Sequence, residues 1–294
     1  MKLSALMAAV LLTVAVTGAQ AADTLAKIAE SGKITLAYRE SSVPFSYLDG
    51  PSKPIGFSVE LSNAVVEAVK KKLNKPNLQV ALMPVTSQNR IPLIQNGTID
   101  LECGSTTNNS ARGKDVAFAV NHFYTGTRLL VKKSSKIKNY ADLAKKTVAS
   151  TTGTTNALVM RKYNAEKNLD MDIVLGKDHA DAFLLVESDR AVAFAMDDIL
   201  LFGLIANAKN PAEFEVVGDA LQVEPYACML PKDDPAFKKV VDDTIVGLMK
   251  SGEFEKMYNK WFMSPIPPKG TALNLPMSPQ LRDNIKTPSD KPAT

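Results

Sequence analysis

The sequence predicts an α/β protein built as two domains, each around a largely parallel sheet. Two observations carry this. Short β-rich runs alternate with amphipathic helical patterns almost from end to end, the order that builds parallel sheets covered by helices. The 294 residues, 45% of them hydrophobic, can also bury a large core, and at about 150 residues per domain their length fits two domains.

In chain order, residues 33–38 read as a strand, 57–73 as an amphipathic helix, 79–85 as a strand, 90–96 as a helix stopped by Gly97, and 99–102 as a strand. Residues 127–132 form a strand that leads into a second α/β series. Within it 147–150, 172–175 and 191–196 read as strands, each followed by a helical stretch, and 213–217 as a further strand. Residues 226–230 are another strand, after which 234–249 and 253–261 read as helices. Beyond Ser264 the chain is rich in proline and polar residues with little apolar periodicity, and is expected to drape over the surface or stay partly disordered.

Residues 1–21 read as a secretory signal: Lys2, an apolar run from Leu3 to Val16, and the A-x-A site Ala19-Gln20-Ala21. That run is shorter than the ~20 residues of a spanning helix and no comparable one recurs. Cys103, the first cysteine, lies far beyond the cleavage site and offers no thiol for a lipid anchor. The expectation is therefore a periplasmic protein without a membrane anchor. Removing Lys2 leaves 34 basic against 31 acidic residues, and the lysines are scattered or lie on helix faces, which gives no nucleic-acid signature. Two cysteines, Cys103 and Cys228, in an oxidising compartment admit one disulfide or two buried thiols; a bridge would add roughly 4 to 5 kcal/mol on the chain-entropy model.

The polar residues of interest share one topological address, the end of a predicted strand and the start of a helix, where parallel α/β sheets bind ligands. Arg39 follows the first strand, Ser87 and Arg90 the next, and Ser105, Thr107 and Arg112 the third. In the second series Thr152-Gly153-Thr154-Thr155, Asp178-His179 and Asp197-Asp198 open helices. Helix caps account for many Ser, Thr and Asp residues at such places, Ser87, Asp178 and Asp198 among them. Three arginines beside partly positive helix N-termini form a favourable anion site, and guanidinium pairs suit a ligand with two carboxylates, with Asp197 available for an ammonium.

Several stretches carry a family resemblance: Arg39 to Tyr47, Thr86 to Pro92, Glu102 to Asn109, Ser150 to Thr155, Lys177 to His179, Ala191 to Asp198, and Lys256 to Pro268 around the single Trp261. Over about Asp23 to the proline-rich tail the chain resembles the polar amino-acid binding proteins of ABC importers, solute-binding protein family 3, and specifically their glutamate/aspartate-binding members. The resemblance implies an α/β, two-lobed periplasmic binding protein fold of type II. In that fold each lobe is a mixed sheet flanked by helices, and two crossover strands join the lobes. Lobe 1 would comprise residues 23–127 plus 229–294, and lobe 2 residues 128–228. It implies that Ser105, Thr107 and Arg112 hold the ligand α-carboxylate and part of its amino group, and that Thr155 adds a donor. Asp197 would accept the α-ammonium, while Arg39, Ser87, Arg90 and His179 hold the side-chain carboxylate. It also implies a Cys103–Cys228 disulfide, L-glutamate or L-aspartate as ligand, permease subunits of an ABC importer as partner, and a monomer. One departure is local: Ser110-Ala111 precede Arg112 where close relatives carry an acidic residue.

The competing readings are a binder of another polar amino acid, a receptor sensing module, and a dehydratase-like enzyme on the same fold. Against an enzyme, the chain has only two histidines, no G-x-S-x-G elbow and no metal-ligand spacing, so no cofactor or metal is expected. His122, in Asn121-His122-Phe123-Tyr124, reads as a structural turn. His179, if cationic in the complex, would make binding weaken as pH rises.

Overall fold

The computed structural model describes residues 23–293, so the export segment expected over residues 1–21 lies outside the described residues. Helix α1 (Thr24–Ser31) begins where the Asp23 carboxylate accepts the backbone N–H of Ala26. Strand β1 (Lys33–Tyr38) leads into a small antiparallel meander of β2 (Ser41–Ser42), β3 (Ser46–Leu48) and β4 (Pro54–Ile55). Helix α2 (Phe57–Leu73) follows, burying Leu61, Val65 and Val69 at the four-residue spacing that keeps one face on the core. Strand β5 (Gln79–Pro84), helix α3 (Arg90–Gln95) and strand β6 (Leu101–Glu102) complete this series, with β5 and β6 parallel to β1 on either side.

Strand β7 (Ala117–Lys132) is 16 residues long. After it come β8 (Thr147–Thr151), α4 (Thr155–Lys167), β9 (Asp172–Gly176), α5 (His179–Glu187), β10 (Ala193–Asp197), α6 (Asp198–Asn207) and β11 (Phe214–Val217). Strand β12 (Val223–Leu230) precedes α7 (Pro235–Ser251) and α8 (Glu253–Tyr258), which widens into a π-helical turn over Asn259–Met263. The chain ends with the hairpin β13 (Pro265–Ile266) and β14 (Thr271–Ala272), then α9 (Pro279–Lys286).

The main sheet runs β5-β1-β6-β12-β7-β10-β8-β9, with β11 also on β7. Strand β7 belongs to both halves. Up to Gly126 it pairs antiparallel with β12; from Thr127 onward it pairs with β10 on one side and β11 on the other. All of β12 pairs with β7 and β6 of the first half. The Cys103–Cys228 disulfide ties the end of β6 to β12.

In the first half the core centres on packed rings: Phe45 lies 4.9 Å from Phe123 and 5.2 Å from Tyr226, and Tyr258 stacks on Phe262 at 4.3 Å. A separate apolar cluster of Leu129, Val131, Val148, Met160 and Ala195 fills the second half. His122 is not in a turn. It sits fully buried within β7 beside Phe57, and burial holds its ring down to about 4, hence neutral.

The expectation of a draped tail is corrected. Asn121 accepts from the Asn284 side chain at 2.6 Å through its carbonyl, donates its backbone N–H to the Ser289 carbonyl at 2.9 Å, and donates its side-chain amide to the Lys291 carbonyl at 2.9 Å. Asn108 donates to the Asp290 carbonyl at 2.8 Å and accepts from the Ala293 N–H at 2.9 Å. Ile266 and Leu281 are buried in the main core with Leu273, Leu275, Met277 and Ile285 packed against it, and beyond α9 the buried asparagines of the first half satisfy the tail's backbone.

Candidate ligand-binding site

The expected residues fall where the two halves face each other. Arg39, just past β1, is fully buried. Its Nη2 donates to the Asp178 carboxylate and lies 3.4 Å from His179 Nε2, while Nε and Nη1 are buried without a partner among the described residues. Arg90 opens α3, 2% exposed; Nη1 donates to the Ser105 carbonyl at 3.4 Å and lies 3.9 Å from the Glu102 carboxylate, and Nε has no partner. Burial lowers its guanidinium to about 9, with Arg112 and Arg39 adding to the push and Glu102 opposing it, so it remains a cation at neutral pH. The Ser87 hydroxyl is buried and unpartnered, and it caps no helix, since the cap position of α3 belongs to Asn89.

Ser105 and Thr107 lie on the loop after β6. Ser105 Oγ donates to Ser42 Oγ at 3.2 Å, and Thr107 Oγ1 lies 3.4 Å from Thr155 Oγ1, the first residue of α4. Arg112 reaches back, donating to the carbonyls of Thr107 at 3.0 Å and Gly153 at 3.2 Å. At Gly153 the halves approach closely: φ is +78°, and a Cβ there would sit 2.6 Å from Gln88 Cα and 2.9 Å from the Ser87 carbonyl carbon. Only glycine fits such an approach.

Asp197 closes β10 and is 2% exposed. Its carboxylate accepts from Asn156 at 2.7 Å and from the Tyr226 hydroxyl at 2.5 Å. Burial, and then the nearby Glu224 carboxylate, raise its pKa well above the ordinary range. A carboxylate so placed favours a cation arriving beside it.

His179 differs from the expectation of a cationic ring. Burial first, then the Arg39 charge, push it down to about 3. A guanidinium can only donate, so Nε2 accepts from Arg39 and Nδ1–H donates to Thr151 Oγ1 at 3.0 Å. The ring is a neutral prop for Arg39. Asp178, read from the sequence as a helix cap, does hold the N-cap position of α5 in a capping box with Asp181, and its carboxylate also accepts from Arg39 and from the Ser41 hydroxyl at 2.8 Å, across the cleft. Burial works to raise its pKa, but Arg39, His179, Ser41 and the His179 backbone N–H outweigh that and hold it at about 2.

Sequence reasoning missed Glu102, Glu224 and Tyr226. Glu224 is fully buried and accepts the hydroxyl protons of both Thr107 and Thr155, the latter at 2.6 Å, and the side-chain amide of Gln222. The available signal was a glutamate directly before the apolar run of residues 226–230, which reads as a loop residue until the strand is seen to start at Val223.

Three comparisons bear on this arrangement. The family model of bacterial extracellular solute-binding proteins, family 3, matches residues 34–264. The chain is 55% identical over 271 residues to the glutamate/aspartate import solute-binding protein of Escherichia coli (strain K12), covering 92% of this chain and 90% of that one. It is 52% identical over 292 residues to the L-glutamate/L-aspartate-binding protein of Pseudomonas aeruginosa, covering 99% and 97%. Among solved structures, a mutant of the arginine-binding protein ArgBP from T. maritima superposes with a TM-score of 0.71 at 25% identity, over 81% of this chain and 99% of that one. The fold is thus the two-lobed, type II α/β binding-protein fold that the sequence resemblance implies. With the family model spanning the strands that supply Arg39, Arg90, Thr107 and Asp197, the chain belongs to the bacterial extracellular solute-binding proteins, family 3.

Proposed function

We propose that the chain captures a small acidic amino acid, L-glutamate or L-aspartate, between its lobes in the periplasm and delivers it to the permease of an ABC importer. The observation that carries this is the pair of buried guanidiniums, Arg39 and Arg90, whose free N–H groups, like the Ser87 hydroxyl, lie unpartnered among the described residues. Unpaired buried donors are costly, and a carboxylate satisfies them with charge-assisted bonds. At the other pole Asp197 presents a buried carboxylate to an ammonium, with Glu224 buried behind the Thr107 and Thr155 hydroxyls. Arg112, on the Thr107 loop, is left for the second carboxylate. The names borne by the two relatives above 50% identity agree with this ligand class and with import.

We divide the chain into lobe 1, residues 23–127 and the C-terminal part, and lobe 2, from residue 128. The partner exchange on β7 at Gly126/Thr127 supports the first boundary, while the pairing of all of β12 with lobe 1 strands argues for drawing the second crossover near residues 218–222 rather than at 228. Contacts from both lobes then let ligand bias an open–closed equilibrium. We read the chain as a carrier rather than a catalyst: both nitrogens of His179 are engaged and its ring is neutral, which leaves it without the proton-transfer role an enzyme on this fold would ask of it.

Arg90→Ala is expected to weaken glutamate about 100-fold while changing glutamine little, and Asp197→Ala to abolish binding of both, as charge-assisted bonds of about 2–3 kcal/mol require. Calorimetric titration of the two variants, with thermal midpoints followed in parallel, checks this. Equal losses for glutamate and glutamine in Arg90→Ala would refute the side-chain assignment.

A further inference from the structure

We infer that Glu224 is a positioning residue that commits the hydroxyl protons of Thr107 and Thr155, so that both hydroxyls meet the ligand as acceptors and, with Asp197, form a cage for its ammonium. The inference deepens the proposed function and rests on the ligand being an amino acid.

A threonine hydroxyl owns one proton and two acceptor sites. Both hydroxyls give that proton to the same oxygen, Glu224 Oε2, and lie 3.4 Å apart. They come from opposite lobes, Thr107 from the loop after β6 and Thr155 from the start of α4. Glu224 is itself held: it is fully buried, sits on β12 in lobe 1 facing the other lobe's Thr155, and takes the Gln222 amide on its other oxygen. With their protons spent, the two hydroxyls can offer only lone pairs. A carboxylate oxygen placed against them would face repulsion, whereas an ammonium, with three donors and no acceptor, matches two hydroxyl acceptors and the Asp197 carboxylate.

The role differs from the one implied by family resemblance chiefly at Thr155, which there adds a donor, while Thr107 there shares in holding the α-carboxylate and part of the amino group. Here the α-carboxylate falls to Arg112 and to backbone N–H groups, and Glu224 tells the site which end of an amino acid is the cation. The same carboxylate, already holding Thr107 within lobe 1, joins the two lobes only when Thr155 approaches it, which couples recognition of the ammonium to closure.

The test compares glutamate with glutarate, the same dicarboxylate without the amino group, by calorimetry, directly for glutamate and by competition for glutarate. In Glu224→Ala, glutamate affinity is expected to fall by about tenfold or more, the loss of a charge-linked hydrogen bond, while glutarate stays within about threefold of wild type. Glu224→Gln, whose amide oxygen still accepts both hydroxyl protons while the part-buried Gln222 amide turns its oxygen to the new NH2, is expected to restore glutamate affinity to within about threefold. Equal losses for both ligands in a folded Glu224→Ala protein, or no loss for glutamate, would overturn the positioning role and leave the proposed function intact. Wild-type protein that binds glutarate as tightly as glutamate would overturn the amino-acid reading and this inference with it. Should Glu224→Ala not fold, Thr155→Ser against Thr155→Val asks the same question: serine keeps the acceptor and the glutamate affinity, and valine loses glutamate but not glutarate. Equal losses of both ligands in Thr155→Val overturn the inference.

Discussion

At His179 the ring is enclosed between Thr151 and Arg39, and the cost of burying a cation next to another cation keeps it neutral. Its proton uptake lies near pH 3, far below the working range. The sign follows: a ring neutral in both free and bound protein neither gains nor loses a proton between pH 6 and 8, so His179 is expected to give no fall in glutamate affinity with rising pH there beyond about twofold. A calorimetric pH series that showed affinity falling about tenfold per pH unit would mean that the complex holds a protonated His179. At this scale the sequence disclosed the arginines, because a guanidinium at a strand end has few dull uses in threes. It did not disclose Asp178 or Glu224. A short acid at a helix start looks like a cap whatever it does, and only the opposing lobe, bringing Arg39 and Ser41 to one and Thr155 to the other, shows what each carboxylate is for.

Among the elements, α2 was legible to the residue, since its apolar spacing and its stop at Asn74 are local signals. The first part of β7 was not. Asn121 and His122 interrupt its apolar run and read as a turn, yet Asn121 is buried because tail residues 163 to 170 positions away supply its partners. The tail was misread because its apolar residues, Ile266, Leu281 and Ile285 among them, are widely spaced between prolines, and because its last residues are held by Asn108 and Asn121 from far away in the chain. Asn108 adjoins Thr107, so the tail braces the loop that carries part of the site. Deleting residues 288–294 removes the carbonyls of Ser289, Asp290 and Lys291, which accept from the Asn121 backbone N–H and from the side-chain amides of Asn108 and Asn121. A loss of about 2–4 kcal/mol is expected, seen as a thermal midpoint lowered by roughly 5–12 °C, together with weaker glutamate binding. An unchanged midpoint would show that the tail is not a structural brace.

For the molecule as a whole, the alternation of strands and helices announced the α/β class and the strand-end address of the site. The partner exchange of β7 and the course of β12 were beyond it, because sheet order depends on pairings across the whole chain. The lobes meet here through Arg39 with Asp178, Thr107 with Thr155, and Arg112 with the Gly153 carbonyl, and a second close approach sets Gly203 of α6 against the Val43 backbone, where a Cβ would lie 2.4 Å from the carbonyl oxygen. This is a closed cleft whose donors and acceptors are sorted into a cationic pole at Arg39 and Arg90 and an anionic pole at Asp197 and Glu224. The central claim is that this sorting selects an amino acid with a second carboxylate. Calorimetric titration of the chain with glutamate, aspartate, glutamine, asparagine and arginine tests it most directly. The two acids are expected to bind at about micromolar Kd or tighter, the amides about 100-fold or more weakly, and arginine not at all; tightest binding by glutamine or arginine would contradict the account.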